Sequence, residues 1–116
     1  MEKILIVDDK PEFRRVLRLA LGTNGYDIRE AISGADALNL MQDEPLDLIL
    51  VDWLMPEMDG IRLCREIRAK SGIPIIMITS KPDGRSEAIA AGANDYMKKP
   101  FAVEELLAHV ESALAR

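Results

Sequence analysis

Hydrophobic positions along this chain follow two alternating rhythms. Short unbroken apolar runs, Lys3-Ile4-Leu5-Ile6-Val7, Leu48-Ile49-Leu50-Val51 and Pro74-Ile75-Ile76-Met77-Ile78-Thr79, read as strands buried on both faces. Between them the apolar residues recur at helical spacing: Phe13, Val16, Leu17, Ala20 and Leu21 in a first helix, and Ile61, Cys64 and Ile67 in a third. Val103, Leu106, Leu107, Val110 and Leu114 form the stripe of a last helix. Ser33, with Asp36 three residues on, starts a second helix that runs to about Gln42, and Asp59 caps the third. Tyr26 to Ala31 and Asp95 to Lys98 are brief second and fifth strands. Gly22, the Asn24-Gly25 pair, Pro45, Ser71-Gly72 and Gly92 punctuate the series.

Five strands alternating with five helices predict an α/β domain with a parallel sheet and right-handed crossovers that put helices on both faces. Fold precedent supplies the strand order: the flavodoxin-like, doubly wound (βα)5 arrangement 2-1-3-4-5, whose switch point lies between the first and third strands. Those two strands end in Asp8-Asp9 and in Asp52, so three carboxylates are expected to converge on one crevice. Thr79 at the end of the fourth strand and Lys99 just after the fifth add a hydroxyl and a cation at the same sheet edge.

Composition narrows the chemistry. With 116 residues there is length for one domain, residues 1–116, and no low-complexity segment or repeat divides it. A net charge of -5 argues against direct nucleic-acid binding. No apolar stretch is long enough for a membrane span, and the N-terminus does not read as a signal peptide. The single cysteine, Cys64, sits on an apolar stripe as an inert core thiol and fits a reducing cytoplasm.

Like charges a few ångströms apart raise one another's pKa and open a site unless a cation occupies it. Hard oxygen ligands with room for water and phosphate suit Mg²⁺. A carboxylate beside such an ion can act as a nucleophile toward phosphorus, and a nearby lysine can neutralise charge on the transferring group. Asp52 is the expected acceptor.

The whole chain resembles a response-regulator receiver domain, similar to the chemotaxis response regulator. Asp8-Asp9, Asp52 with Met55-Pro56 and Gly60, Thr79, the run Gly92-Ala93-Asn94-Asp95-Tyr96, and Lys99-Pro100-Phe101 carry the match, in the family's order. The resemblance implies that Asp52 accepts a phosphoryl group from a histidine kinase or a histidine phosphotransfer protein, with Mg²⁺ (or Mn²⁺) bound. It further implies that Asp9 binds the metal directly, Asp8 partly through water, and Leu54 through its backbone carbonyl. Thr79 and Lys99 would hold the phosphoryl oxygens, and Tyr96 would change rotamer with Thr79 as the switch. A cis Lys99-Pro100 bond is expected on the same ground. Such a domain is a signalling module rather than a turnover enzyme, acting alone or as the receiver part of a longer regulator. Its output passes through the face of the fourth helix, fifth strand and fifth helix, to a target or in an activation-dependent homodimer.

Plainer readings stand beside these. Asp9, with Pro11 and Glu12 following, fits the N-cap of a capping box. Lys98 alternates away from the site, Trp53 packs near it, the arginines Arg14, Arg15 and Arg18 form a solvated face, and His109 reads as an ordinary surface residue. A haloacid-dehalogenase-type phosphatase would need a second acid where Leu54 stands. A flavodoxin-like cofactor binder would need a phosphate-cradling loop where Asp8-Asp9 stand.

The chain departs from the family in one segment. From Thr79 to Gly92 it is about two residues shorter than the family pattern, with Pro82 and Gly84 where the fourth helix would begin. That helix is expected to start late, near Arg85, and to span barely two turns, which changes the signalling face. Ser80 stands where a small alanine is usual and could crowd phosphoryl access. Leu54 and Lys81 occupy the positions that tune dephosphorylation. Leu54 offers no side-chain hydrogen bond to an attacking water, so a long-lived phosphoryl state is expected.

Overall fold

Residue parity sorts the strands' side chains into two cores. A computed structural model describes residues 1–115; Arg116, the expected domain limit, lies outside them. The strands are β1 (Lys3–Val7), β2 (Asp27–Ala31), β3 (Leu48–Asp52), β4 (Ile75–Thr79) and β5 (Asp95–Lys98). They alternate with helices α1 (Pro11–Gly22), α2 (Gly34–Asp43), α3 (Gly60–Arg68), α4 (Arg85–Ala90) and α5 (Val103–Leu114). All pairings are parallel and the sheet order is β2-β1-β3-β4-β5, as expected. Ile4, Ile6, Leu48, Leu50, Ile76 and Ile78 face α1 and α5, where they meet Leu17, Leu21, Leu106 and Val110. Leu5, Val7, Ile49, Val51, Ile75 and Met77 face the other way, against Ile61, Leu63, Cys64 and Ile67 of α3 and Ala88 of α4. Strands buried on both sides need no polar alternation, which is why β1, β3 and β4 read as continuous apolar runs.

Helix starts follow local chemistry. The Ser33 hydroxyl accepts the Asp36 N–H at 3.1 Å, and the Asp59 carboxylate accepts the Arg62 N–H at 2.9 Å, so both expected caps are present. Asp9 does not cap α1. The helix begins one residue later, with Lys10 at the N-cap, Pro11 in the first turn and no side-chain cap. The Lys10 N–H is taken by Asp8 Oδ1 at 2.8 Å, which leaves the Asp9 carboxylate out of the helix start.

Three further expectations are corrected or refined. Val16 is 57% exposed because it flanks the buried arc of Leu17 and Leu21, and Val103 is 44% exposed because it opens α5 ahead of the stripe that starts at Leu106. His109 is half-buried and its Nδ1 pairs with the Asp95 carboxylate of β5, which also lies 3.8 Å from Arg85 Nη1 of α4. Arg14 and Arg18 are not simply solvated; both bind Glu30 of β2, at 3.0 and 2.7 Å. The short fourth helix is as expected, six residues from Arg85. No helix among the described residues is long and apolar enough to cross a membrane.

Candidate functional site

The parallel sheet aims the ends of β1, β3 and β4 and the residues after β5 at one edge. Val7 pairs with Val51 across β1 and β3, so Asp8 and Asp52, each one residue further on, emerge side by side. Oxygens of Asp8, Asp9 and Asp52 lie within 4.8 Å of one another. Asp8 and Asp52 are almost wholly buried, at 1% and 4% exposure, and Asp9 keeps a partly open side chain. Burial pushes the Asp8 carboxyl above its ordinary value; the Lys10 amide bond opposes this and the Asp52 charge adds to it.

Two ammonium groups answer the three acids. Lys99 Nζ stands 3.5 Å from Asp52 Oδ1 and 4.0 Å from Asp8 Oδ2. It rests 3.8 Å from the Phe13 ring centroid, a cation–π seat on α1, and Phe13 is itself met edge-on by Phe101. Its backbone N–H donates to the Thr79 carbonyl at 2.8 Å, and the Lys99-Pro100 bond is cis, as expected. Lys10 Nζ reaches in from α1, 3.3 Å from Asp9 Oδ1 and 3.5 Å from Asp52 Oδ2. Desolvation opposes the charged form, but the charges of Asp52, Asp9 and Asp8 and the hydrogen bond to Asp9 together raise the Lys10 ammonium pKa above its ordinary value.

One atom is left over. Asp8 Oδ2 is buried without a hydrogen-bond partner, although Asp8 Oδ1 takes the Lys10 N–H and the Asp8 carbonyl takes Arg14 Nη1 at 2.7 Å. A buried carboxylate oxygen with nothing to accept is costly and calls for a ligand. The donor set is entirely hard oxygen, so Asp8, Asp9 and Asp52 fit a hard divalent cation such as Mg²⁺ better than a thiophilic metal.

The other expected residues lie around this cluster. Thr79 is 1% exposed, and its hydroxyl oxygen accepts the Lys81 N–H at 3.1 Å. Asp52 is in register with Ile78, the residue before Thr79. Leu54 lies in the loop after β3 with its side chain 55% exposed, and no backbone hydrogen bond among the described residues uses its carbonyl. Gly60 folds that loop back: a Cβ there would lie 2.7 Å from Trp53 Cα and 2.8 Å from the Asp52 carbonyl oxygen, so only glycine fits. The Tyr96 hydroxyl donates to the Lys81 carbonyl at 2.6 Å, two residues beyond Thr79. Trp53 is buried beside the acceptor strand, under the Lys81 ammonium, and against Gly84. Lys98 is exposed and apart, as expected. A cleft of about 380 Å³ at the opposite edge of the sheet is lined by Leu38, Met41, Leu46 and Ile73 together with Gln42, Glu44, Lys70 and Ser71, away from the acidic cluster.

Lys10 and Phe13 are the residues in contact with this cluster that sequence reasoning missed. Lys10 follows Asp9 directly, and the only available signal was a cation adjoining the acidic pair. Phe13 counted as core, and nothing in helical spacing marks its ring as a seat for Lys99.

Comparison with known proteins agrees with this geometry. The family described as the response regulator receiver domain matches residues 4–111. The transcriptional regulatory protein ResD of Bacillus subtilis is 43% identical over 98% of this chain and 48% of its own length. The probable transcriptional regulator ycf27 of Porphyridium aerugineum is 41% identical over 99% of this chain and 49% of its own. The chain thus spans about half the length of these curated relatives. The crystal structure of the chemotaxis protein CheY4 of Vibrio cholerae superposes with a TM-score of 0.92, at 34% identity, covering 98% of this chain and 99% of that one. Five parallel strands in this order, closed at one edge by acids and a lysine and matched along nearly their whole length, make this chain a member of the response regulator receiver family, a signalling domain of two-component systems.

Proposed function

We propose that residues 1–116 form one phosphoacceptor domain in which Asp52 receives a phosphoryl group from a histidine kinase or a histidine phosphotransfer protein. An Asp52 carboxylate oxygen bonds to phosphorus as the P–N bond to the donor imidazole breaks, and the electron pair leaves on the imidazole nitrogen. Asp8, Asp9, Asp52 and the Leu54 carbonyl would hold Mg²⁺ or Mn²⁺. The bound ion supplies neutralising charge to the carboxylates and the phosphoryl oxygens. Lys99, held by its backbone bond to Thr79 and by the Phe13 ring, supplies a fixed positive charge to a phosphoryl oxygen on Asp52. Because the Thr79 oxygen already accepts the Lys81 amide, its own proton is free to be donated to another phosphoryl oxygen. Moving Thr79 toward that oxygen pulls on the Lys81 backbone, and therefore on the Tyr96 hydroxyl bound to it, which links the acceptor to β5 and α4.

The observation that carries this reading is the juxtaposition of buried Asp52, the orphaned Asp8 Oδ2 and the Lys99 ammonium at one sheet edge. Output would pass through the α4–β5–α5 face to a target, an effector domain or a second copy after activation, in the cytoplasm and without direct contact to nucleic acid or membrane. Incubation with Mg²⁺ and acetyl phosphate, followed by intact mass, tests the assignment. One phosphoryl mass is expected on the wild type and none on Asp52→Ala; equal labelling of both would overturn it. The same series followed over time is expected to show slow loss, since the Leu54 side chain cannot orient a water, and Lys99→Ala is expected to bind Mg²⁺ without switching. Size-exclusion chromatography with beryllofluoride reads the homodimer.

A further inference from the structure

Lys10 reaches two of the three carboxylates that could hold a divalent ion. Its ammonium lies between Asp9 Oδ1 and Asp52 Oδ2, two oxygens of the acidic cluster, yet its side chain is 53% exposed and ends on a flexible four-carbon stem. The base of that stem is fixed, because the Lys10 N–H is bound to Asp8 Oδ1 and Pro11 follows at the start of α1. Lys99 is held differently: it is 21% exposed, seated on Phe13, and it touches the other oxygen of Asp52. The two lysines therefore divide the Asp52 carboxylate, one permanently and one from the solvent side.

We propose that Lys10 is a tethered counter-cation, which occupies the metal's place between Asp9 and Asp52 and must swing outward for Mg²⁺ to enter. This inference rests on the metal-site reading above. An ammonium and a divalent ion sharing the same two oxygens repel each other strongly at contact distance, so both cannot hold them at once. Asp8 Oδ2, which Lys10 does not reach, has no hydrogen-bond partner and faces only the Lys99 ammonium at 4.0 Å, so it is the oxygen left for an incoming ion. Lys10 thereby makes the acidic crevice tolerable without metal and weakens its hold on metal, so that occupancy follows the Mg²⁺ concentration.

The test is a Mg²⁺ titration at constant ionic strength, read by Trp53 fluorescence, of the wild type, Lys10→Met, Lys10→Arg and Lys98→Met. Removing an exposed ion pair of this kind predicts about fivefold tighter Mg²⁺ binding by Lys10→Met. Lys10→Arg keeps the charge and is expected to bind no tighter than the wild type, and Lys98→Met reports the effect of surface charge alone. A second readout is amine acetylation followed by mass spectrometry: Mg²⁺ is expected to speed modification of Lys10 relative to Lys98. Equal affinities of wild type and Lys10→Met, equal gains in Lys10→Met and Lys98→Met, or a Lys10 labelling rate indifferent to Mg²⁺ would each overturn the proposal. A wild type and a Lys10→Met that both fail to bind Mg²⁺ would overturn the metal-site reading itself, and this inference with it.

Discussion

The two edges of the sheet handle buried charge in opposite ways. At the amino-terminal edge, the Arg68 guanidinium at the end of α3 donates to the Gly92 carbonyl from Nε and Nη2, at 3.0 and 2.7 Å. It also donates to the Ser71 and Ile73 carbonyls and to Asn94 Oδ1, and Asn94 Oδ1 in turn accepts the Ile75 N–H. Gly92, at φ +113°, leaves no space for a side chain, since a Cβ would lie 2.9 Å from Arg68 Cγ. One cation thus ties α3 to the starts of β4 and β5 with each of its nitrogens engaged. At the carboxyl-terminal edge three acids share two lysines at 3.3 to 4.0 Å, and one buried oxygen, Asp8 Oδ2, is left without a hydrogen bond. A closed network fixes a structure, whereas an open one reserves a place for something that arrives later. The contrast is one of satisfaction: every Arg68 nitrogen is bonded, while Asp8 Oδ2 is not.

The comparison can be broken most easily at Arg68. Arg68→Met strands several backbone carbonyls and is expected to cost about 3 kcal/mol of stability in urea unfolding, because buried groups without partners are expensive. Its Mg²⁺ titration, read at Trp53 below the unfolding range, should match the wild type; a weakened metal response would mean that the two edges are not independent. At the other edge the sign reverses. Asp8→Asn removes a carboxylate that burial makes hard to ionise, and is expected to stabilise the metal-free domain by about 1 kcal/mol while abolishing stabilisation by Mg²⁺ in thermal melts. Loss of stability on that substitution would show that the crevice is already satisfied without metal.

Glu30 sharpens the contrast as an intermediate case, paired yet partly open. Desolvation alone would raise its carboxyl pKa, but Arg18 and Arg14 outweigh this and hold it below the usual carboxylate value. A depressed folded pKa contributes stability above the ordinary carboxylate range, and that contribution is lost as pH falls through the folded value. Glu30→Gln is therefore expected to cost under about 1 kcal/mol near neutral pH, with the gap from wild type closing in acid, as followed by urea midpoints across pH. A gap that persists unchanged in acid would assign the loss to packing rather than charge.

Much of this was legible along the chain because a strand buried on both faces announces itself as an unbroken apolar run, and parallel strands deliver their last residues to a common edge. Asp8, Asp52, Thr79 and Lys99 could be located on that basis alone. Asp9 joins Asp8 and Asp52 as expected, and only its plainer reading as a cap fails, because the pattern Asp-Lys-Pro-Glu does not say that Asp8 takes the Lys10 amide and shifts the helix start. The contacts of Lys10 with Asp52, Lys99 with Phe13, His109 with Asp95 and Arg68 with Gly92 span 14 to 86 residues and depend on side-chain reach. Periodicity carries no record of such meetings.

The close packing at the start of α4 has a mechanical consequence. Gly84, the residue on which α4 begins, lies so close to the indole of Trp53 that a methyl group there would fall 2.7 Å from Cζ3 and 3.3 Å from Tyr96 Cε2. A six-residue helix mounted directly on the neighbour of Asp52 is a lever with almost no play. In a longer loop, a small displacement of the acceptor strand would be absorbed by bending of the chain. Here a displacement of Trp53 would meet Gly84 within a single layer of atoms, at the start of a helix of only six residues.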